Sequence, residues 1–291
     1  MRRPLAFVLS GGGARGALQV GALRALVEAE IRPDMLVGTS IGAANAAYLA
    51  VQGVRLESIE GLVQVWHDAA SAELLPSNYV WLTVRTLFNR PGTRTSGRLP
   101  GFFVDHGLSP KLRFGDIRGV RLYVVAADLN AGRAVVYGED PRESVLEAVV
   151  ASTALPPWVR PLQRDRRLLI DGGFVSNLPI ETALEQGARE IVALDLNDPR
   201  DLPSEAHGLG PFFNKLTNTI ELRQVELETK LAAARGVAVH RLALFGMQPL
   251  QVWDFAHSEE LIERGYDIAR AEIATWAAKR SPWWRKWVPW R

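Results

Sequence analysis

Uninterrupted apolar runs alternate along this chain with segments whose apolar residues return every three or four positions, and glycines stand at the joints. Residues 5–10 read as a buried strand, and residues 17–29 place Leu18, Leu23, Leu26 and Val27 on a core-facing side of a helix. The cycle repeats at once, with a short strand at 34–37 and a helix at 41–51, where Ala43, Ala44, Ala46 and Ala47 allow close approach to a sheet. Farther along, residues 120–127 and 134–137 read as strands paired around Asn130-Ala131-Gly132, 143–151 as a helix, and 167–170 as a strand. A helix from about Ile180 to Gly187, a buried strand at 191–196, a long helix over about 213–235 and a strand at 237–244 complete the series. This interleaving predicts an α/β sandwich. Residues 35–54 carry no charge and have the length of a membrane span. The run contains Thr39, Ser40, Asn45, Gln52 and a glycine corner, so it reads as buried strand plus helix.

The chemistry collects at the joints. In Gly38-Thr39-Ser40-Ile41-Gly42 the serine falls at a strand-to-helix corner, the G-x-S-x-G pattern of a nucleophile elbow. A Cβ at Gly38 or Gly42 would collide across so sharp a turn, and the following helix aims its free amides toward the serine. Gly11-Gly12-Gly13-Ala14-Arg15-Gly16 can be read in two ways. Gly11, Gly13 and Gly16 match the dinucleotide pattern G-x-G-x-x-G, but that fold needs an acid at the end of the second strand, and Asp34 precedes it. An oxyanion hole needs only glycine amides converging beside a helix N-terminus, and it keeps every feature. Arg15 either fixes this loop, favours an anionic substrate head or is an ordinary surface residue.

The third joint is Asp171-Gly172-Gly173, where a carboxylate ends a strand and the glycines let the chain turn. Asp171 is a candidate base for Ser40; an Asp that only steadies the turn is the competing reading. Only one strand and one helix precede Ser40, unlike a standard α/β-hydrolase. His67, His106, His207, His240 and His257 lie in no motif that would aim one at the serine. Asp128 and Asp195 also follow strands, and are left to turn formation.

These motifs, in this order, resemble those of the bacterial patatin-like phospholipases. The resemblance spans about residues 5–196 and includes Ala151-Ser152-Thr153-Ala154-Leu155-Pro156-Pro157 and Asn177-Leu178-Pro179. It implies a three-layer α/β/α sandwich around a mostly parallel central sheet. It also implies a Ser40–Asp171 dyad without histidine, an oxyanion hole from the amides of Gly11, Gly12 and Gly13, and an acyl-enzyme formed on lipid esters without a cofactor or metal. Residues 66–115 and 197–291 resemble the family loosely or not at all.

Composition sets limits. The 291 residues are 47% hydrophobic, enough for a large core, and because Ser40 and Asp171 must meet, residues 1 to about 196 belong to one domain. A catalytic domain over 1–280 is expected. The absence of cysteine excludes disulfides and fits a cytoplasmic setting. No secretory signal is read at the N-terminus, and a net charge of +2 argues against nucleic acid. Trp66, Trp81, Phe88, Phe102 and Phe103 suggest a cover over an acyl channel or simple helical packing. Within 281–291, Trp283, Trp284, Arg285, Lys286, Trp287 and Trp290 interleave indoles with cations, which suits an anionic membrane surface; docking on this domain or on a second subunit is the alternative. A non-catalytic lipid or protein adaptor on the same fold remains the rival to the hydrolase.

Overall fold

The computed structural model describes residues 1–72, 95–156, 159–198, 200, 209–247 and 254–280. The expectations placed on Trp81, Phe88 and residues 281–291 lie outside them. The strands are β1 (Leu5–Leu9), β2 (Met35–Thr39), β3 (Arg121–Asp128), β4 (Arg133–Tyr137), β5 (Leu162–Arg164), β6 (Arg167–Asp171), β7 (Glu190–Asp195) and β8 (Ala238–Ala243). They form one sheet in the order β5-β6-β3-β2-β1-β7-β8, with β4 also on β3. Pairing is parallel from β3 through β2, β1 and β7 to β8, and antiparallel at β4, β5 and β6.

The alternation within β1 shows why the sheet is covered on both faces. Leu5, Phe7 and Leu9 enter one core, while Ala6 and Val8 enter the other. The first core is closed by α1 (Ala17–Glu28), α2 (Ile41–Gln52), α3 (Leu56–Ser71), α5 (Val145–Ser152) and α8 (Ser258–Arg280); α4 (Thr95–Asp105) packs beside α5. The second core is closed by α6 (Ile180–Glu185) and α7 (Leu209–Ala234). The three-layer α/β/α arrangement and mostly parallel sheet are as expected. The uncharged run at 35–54 is β2 and α2, and no helix among the described residues is long and apolar enough to cross a membrane.

One pairing detail decides where chemistry can occur. β4 runs along one edge of β3, facing Val124 to Asp128. The opposite edge is shared: β2 pairs with residues up to Val125, and β6 pairs from Ala126 onward. β2 is parallel to β3 and β6 antiparallel, so their C-terminal ends meet head-on, Thr39 opposite Val125 and Asp171 opposite Ala126.

Of its two readings, Trp66 takes helical packing: it is a core residue of α3, 3% exposed, with its ring 5.8 Å from that of Phe255 and its Nε1 donating to Asn45 Oδ1 at 3.0 Å. Phe103 packs against the same core, and Phe102 stacks on the His106 ring at 4.1 Å.

Helix α1 packs closely on α8, and glycines permit it. A Cβ on Gly21 would fall 1.8 Å from Ile262 O, and one on Gly265 would fall 1.9 Å from Leu18 O. Glycine inside a helix ordinarily costs about 1 kcal/mol relative to alanine. Here alanine would force the helices apart, so Gly21→Ala and Gly265→Ala are each expected to lower unfolding stability by at least about 1–3 kcal/mol in denaturant melts. Gly101→Ala, in open space on α4, should leave stability unchanged or slightly raised.

Candidate active site

The turn from β2 into α2 forces Ser40 to φ 53 and ψ −125, a left-handed conformation that costs a side-chain-bearing residue about 1–3 kcal/mol. The contacts around it hold that strain. A Cβ on Gly38 would meet Gly42 O at 2.5 Å, and one on Gly42 would meet Leu9 O at 2.4 Å. Behind the turn, the Ser40 amide donates to Ser152 Oγ at 2.8 Å, and that hydroxyl donates to Val125 O at 2.6 Å. Thr39 Oγ1 donates to Ser176 O at 2.8 Å. The amides of Ala43 and Ala44 both reach Ser40 O, so those of Ile41 and Gly42 open α2 without intrahelical acceptors.

Asp171 stands where the strand ends meet. Its Oδ2 accepts from Ser40 Oγ at 2.6 Å, and its Oδ1 accepts from the Gly173 amide at 2.8 Å. Asp171 is 3% exposed. Burial pushes its pKa up to about 6, with the Ser40 hydroxyl and the Gly173 amide opposing the rise. It therefore caps its own turn, as the competing reading held, and contacts Ser40 as well. Gly172 is needed for this approach, because a Cβ there would lie 2.2 Å from Val125 O. A Cβ on Gly173 would crowd Asp171 Oδ1 and Asn177 Oδ1, each at 3.2 Å.

The glycine loop lies beside the serine, where a Cβ on Gly11 would be 3.1 Å from Ser40 Cβ. The three expected oxyanion donors are not equivalent. The Gly11 amide donates to Asn177 O at 3.1 Å and is already used, which leaves Gly12 and Gly13 without acceptors among the described residues. Gly13 takes φ 57 as the chain tightens into a short 3-10 turn, Gly13–Gly16, ahead of α1. Gly16 is needed because Ile41 and Trp66 side chains come within 2.6 and 2.9 Å of where a Cβ would stand. Arg15 is no surface residue: it is 7% exposed, and its Nε donates to Gly12 O at 3.3 Å, so it fixes the loop.

Several supporting residues escaped the sequence reading. Gln19, fully buried on α1, donates to Ser10 O at 2.9 Å and accepts from Asn45 Nδ2 at 3.0 Å, tying the loop's strand to α2. A polar residue on an otherwise apolar helix face is the signal that marks it. Ser152, within the Ala151–Pro157 motif, is another, through its bonds to the Ser40 amide and Val125 O. Asp34 holds the Leu5 amide at 2.6 Å and Arg3 at 2.8 Å, at the opposite end of β1 from the glycine loop, so it cannot serve a nucleotide ribose there. Asp128 accepts from the Asn130 amide, and Asp195 pairs with Arg241, both structural. Of the histidines, His106 meets Asp68, His240 meets Glu190, His257 lies near Asp254 and Glu260, and His67 is exposed on α3; His207 is outside the described residues.

The family model for patatin-like phospholipase matches residues 7–184. Patatin-like phospholipase domain-containing protein 7 of Mus musculus is 27% identical over 294 residues, covering 94% of this chain and 21% of the relative. Patatin-like phospholipase domain-containing protein 6 of Homo sapiens is 25% identical, covering 94% and 20%. An uncharacterized NTE family protein of Mycobacterium tuberculosis is 29% identical over 209 residues, covering 72% and 33%. This chain thus spans about a fifth of the first two relatives and a third of the last. Among solved structures, VipD from Legionella pneumophila aligns with a TM-score of 0.50 at 14% identity, covering 94% of this chain and 67% of that one. Human GIVD cytosolic phospholipase A2, in complex with methyl gamma-linolenyl fluorophosphonate and terbium chloride, aligns at 0.52 and 14%, covering 95% and 59%. These two show a shared fold. With the family model matched over more than half of its length, the chain belongs to the patatin-like phospholipase family.

Proposed function

We propose that this chain is a serine lipid acyl hydrolase that cleaves carboxylic ester bonds of phospholipids or related lipids. The observation that carries the reading is the 2.6 Å contact between Ser40 Oγ, on a strained elbow, and the buried Asp171 carboxylate. Asp171 Oδ2 takes the hydroxyl proton as Ser40 Oγ bonds to the ester carbonyl carbon. The negative charge that develops on the carbonyl oxygen is met by the Gly12 and Gly13 amides and by the N-terminal end of α2. The proton then passes from Asp171 to the leaving alkoxide, and the acyl group remains on Ser40. Water attacks the acyl-enzyme, gives a proton to Asp171, and releases the fatty acid as the serine recovers its hydrogen.

An ordinary aspartate is a weak base at neutral pH, and burial improves it. With its pKa raised to about 6, Asp171 is largely ionised at pH 7 yet a much stronger proton acceptor than an exposed carboxylate. The sequence adds a membrane-contact proposal for the Trp- and Arg-bearing segment 281–291, on the grounds of its composition.

Hydrolysis of a short p-nitrophenyl ester and of a panel of phospholipid, lysophospholipid and neutral glyceride tests the reaction. Ser40→Ala and Asp171→Asn are each expected to lower kcat/KM by about 10³-fold or more, with covalent labelling by a fluorophosphonate lost in Ser40→Ala. Undiminished turnover in either variant sinks the dyad. The wild-type rate should rise about tenfold per pH unit below 6 and level off above about 7. Stability should move in the opposite sense. Below about pH 4, Asp171 is protonated whether folded or unfolded, and its burial carries no ionic cost. As pH climbs past the folded value of about 6, the native state must hold the charge, at up to about 3 kcal/mol. Asp171→Asn is therefore expected to be more stable than wild type in melts at pH 8, with the difference vanishing by about pH 3. Deleting residues 281–291 should weaken binding to anionic vesicles and spare soluble ester hydrolysis; unchanged vesicle binding removes the membrane-contact proposal.

A further inference from the structure

The segment between Asp171 and α6 touches every part of the site, and it does so through two adjacent residues. Ser176 O accepts from Thr39 Oγ1 at 2.8 Å, which holds the nucleophile turn. Asn177 O accepts from the Gly11 amide at 3.1 Å, which holds the glycine loop. Asp171 itself begins the same segment. Residues 176 and 177 thus join the base, the nucleophile and the oxyanion loop in one stretch of chain.

That stretch is gripped from behind by α7. Glu228 Oε1 accepts from Ser176 Oγ at 2.6 Å, and its Oε2 accepts from the Glu181 amide at 2.9 Å. One turn earlier, Gln224 Oε1 accepts from the Asn177 amide at 3.1 Å, while its Nε2 donates to Phe174 O at 2.9 Å. Two side chains of one helix therefore satisfy four polar groups across residues 174–181. Glu228 is 7% exposed. Burying a carboxyl against a sheet is costly, and a helix of this length could present an apolar residue there at no such cost. The polar choice needs a geometric reason.

We infer that Gln224 and Glu228 are positioning residues, which set the spacing of Ser40, Asp171 and the glycine loop by clamping Ser176 and Asn177 onto α7. Neither touches the reacting atoms. Their effect passes through the backbone carbonyls of 176 and 177, so it should fall on turnover more than on substrate binding. A shift of about 1 Å in such a constellation can cost about 10²-fold in rate. Burial raises the Glu228 pKa to about 7, so glutamine at that position imitates a form the protein already samples.

The inference rests on the hydrolase reading, and one set of measurements separates the two. kcat and KM for the p-nitrophenyl ester, the fluorophosphonate labelling rate and thermal melts would be compared in the full chain for wild type, Ser40→Ala, Gln224→Ala, Ser176→Ala, Glu228→Gln and Glu226→Gln. Gln224→Ala and Ser176→Ala are expected to melt cooperatively, to lose about 10- to 100-fold in kcat and labelling rate, and to hold KM within about threefold. Glu228→Gln, which can still accept from the Glu181 amide and bond Ser176 Oγ, should stay within about threefold of wild-type kcat. Glu226→Gln, on the exposed side of α7 between Arg223 and Lys230, should match wild type. Wild-type kcat in a folded Gln224→Ala protein overturns the inference, as does a loss confined to KM. Loss of the cooperative melt in Gln224→Ala also overturns it, because the helix would then be holding the fold and not the site. Hydrolysis that survives Ser40→Ala would instead remove the reaction, whereas Ser40-dependent hydrolysis indifferent to Gln224→Ala removes the clamp alone.

Discussion

Everything at this site depends on two strands sharing one edge of β3. A parallel neighbour and an antiparallel neighbour cannot overlap on the same edge, so β2 stops at Thr39 and β6 stops at Asp171, opposite consecutive residues of β3. Side chains at the two ends are thereby brought within hydrogen-bond reach, although they come from positions 131 apart in the chain. The arrangement also explains the glycines: with two chain ends turning away from one edge, Gly42 and Gly172 pass within about 2.5 Å, measured to an imagined Cβ, of neighbouring carbonyl oxygens. Ser152 fills the gap left where the ladder breaks, taking the Ser40 amide and giving its own proton to Val125 O.

Around that junction the interior is less apolar than the sheet suggests. Trp66, Asn45, Gln19 and Ser10 form a buried series of hydrogen bonds from α3 through α2 and α1 to β1. Each member satisfies a donor or acceptor that burial would otherwise penalise by about 1–3 kcal/mol. On the other face of the sheet, Gln224 and Glu228 do the same for residues 174–181. The site is thus braced by polar contacts from both layers of helices, and the apolar cores fill the space between.

The sequence makes the sheet readable because fully buried parallel strands appear as near-continuous apolar runs, as in β1 and in the interiors of β2 and β7. The elbow and the Asp-Gly-Gly turn are readable for another reason: steric demand at a sharp corner admits few residues. What stayed hidden depends on partners distant in the chain. Trp66 is open to two readings, channel cover or helical packing, until Asn45 and Phe255 are seen around it. The Gly11 amide counts among free donors until Asn177 O is placed against it. Glu228 looks like any helix-surface glutamate, since only the fold supplies its Ser176 and Glu181 partners. The helix α8 is hard to read because its buried apolar side chains, Leu261, Ile262 and Ala269, stand among many charges.

The glycine contact between α1 and α8 carries a consequence for how the molecule is made. α1 issues directly from the glycine loop, and its outer face is sealed only when Gly265 meets Leu18, about 250 residues later. During synthesis on the ribosome, α1 therefore waits with Leu18 and Gly21 unsheltered until the residues of α8 have emerged. The glycine loop beside it gains its final support at the same late moment. A partly synthesised chain can hold all three motifs and still lack the helix that fixes the first of them.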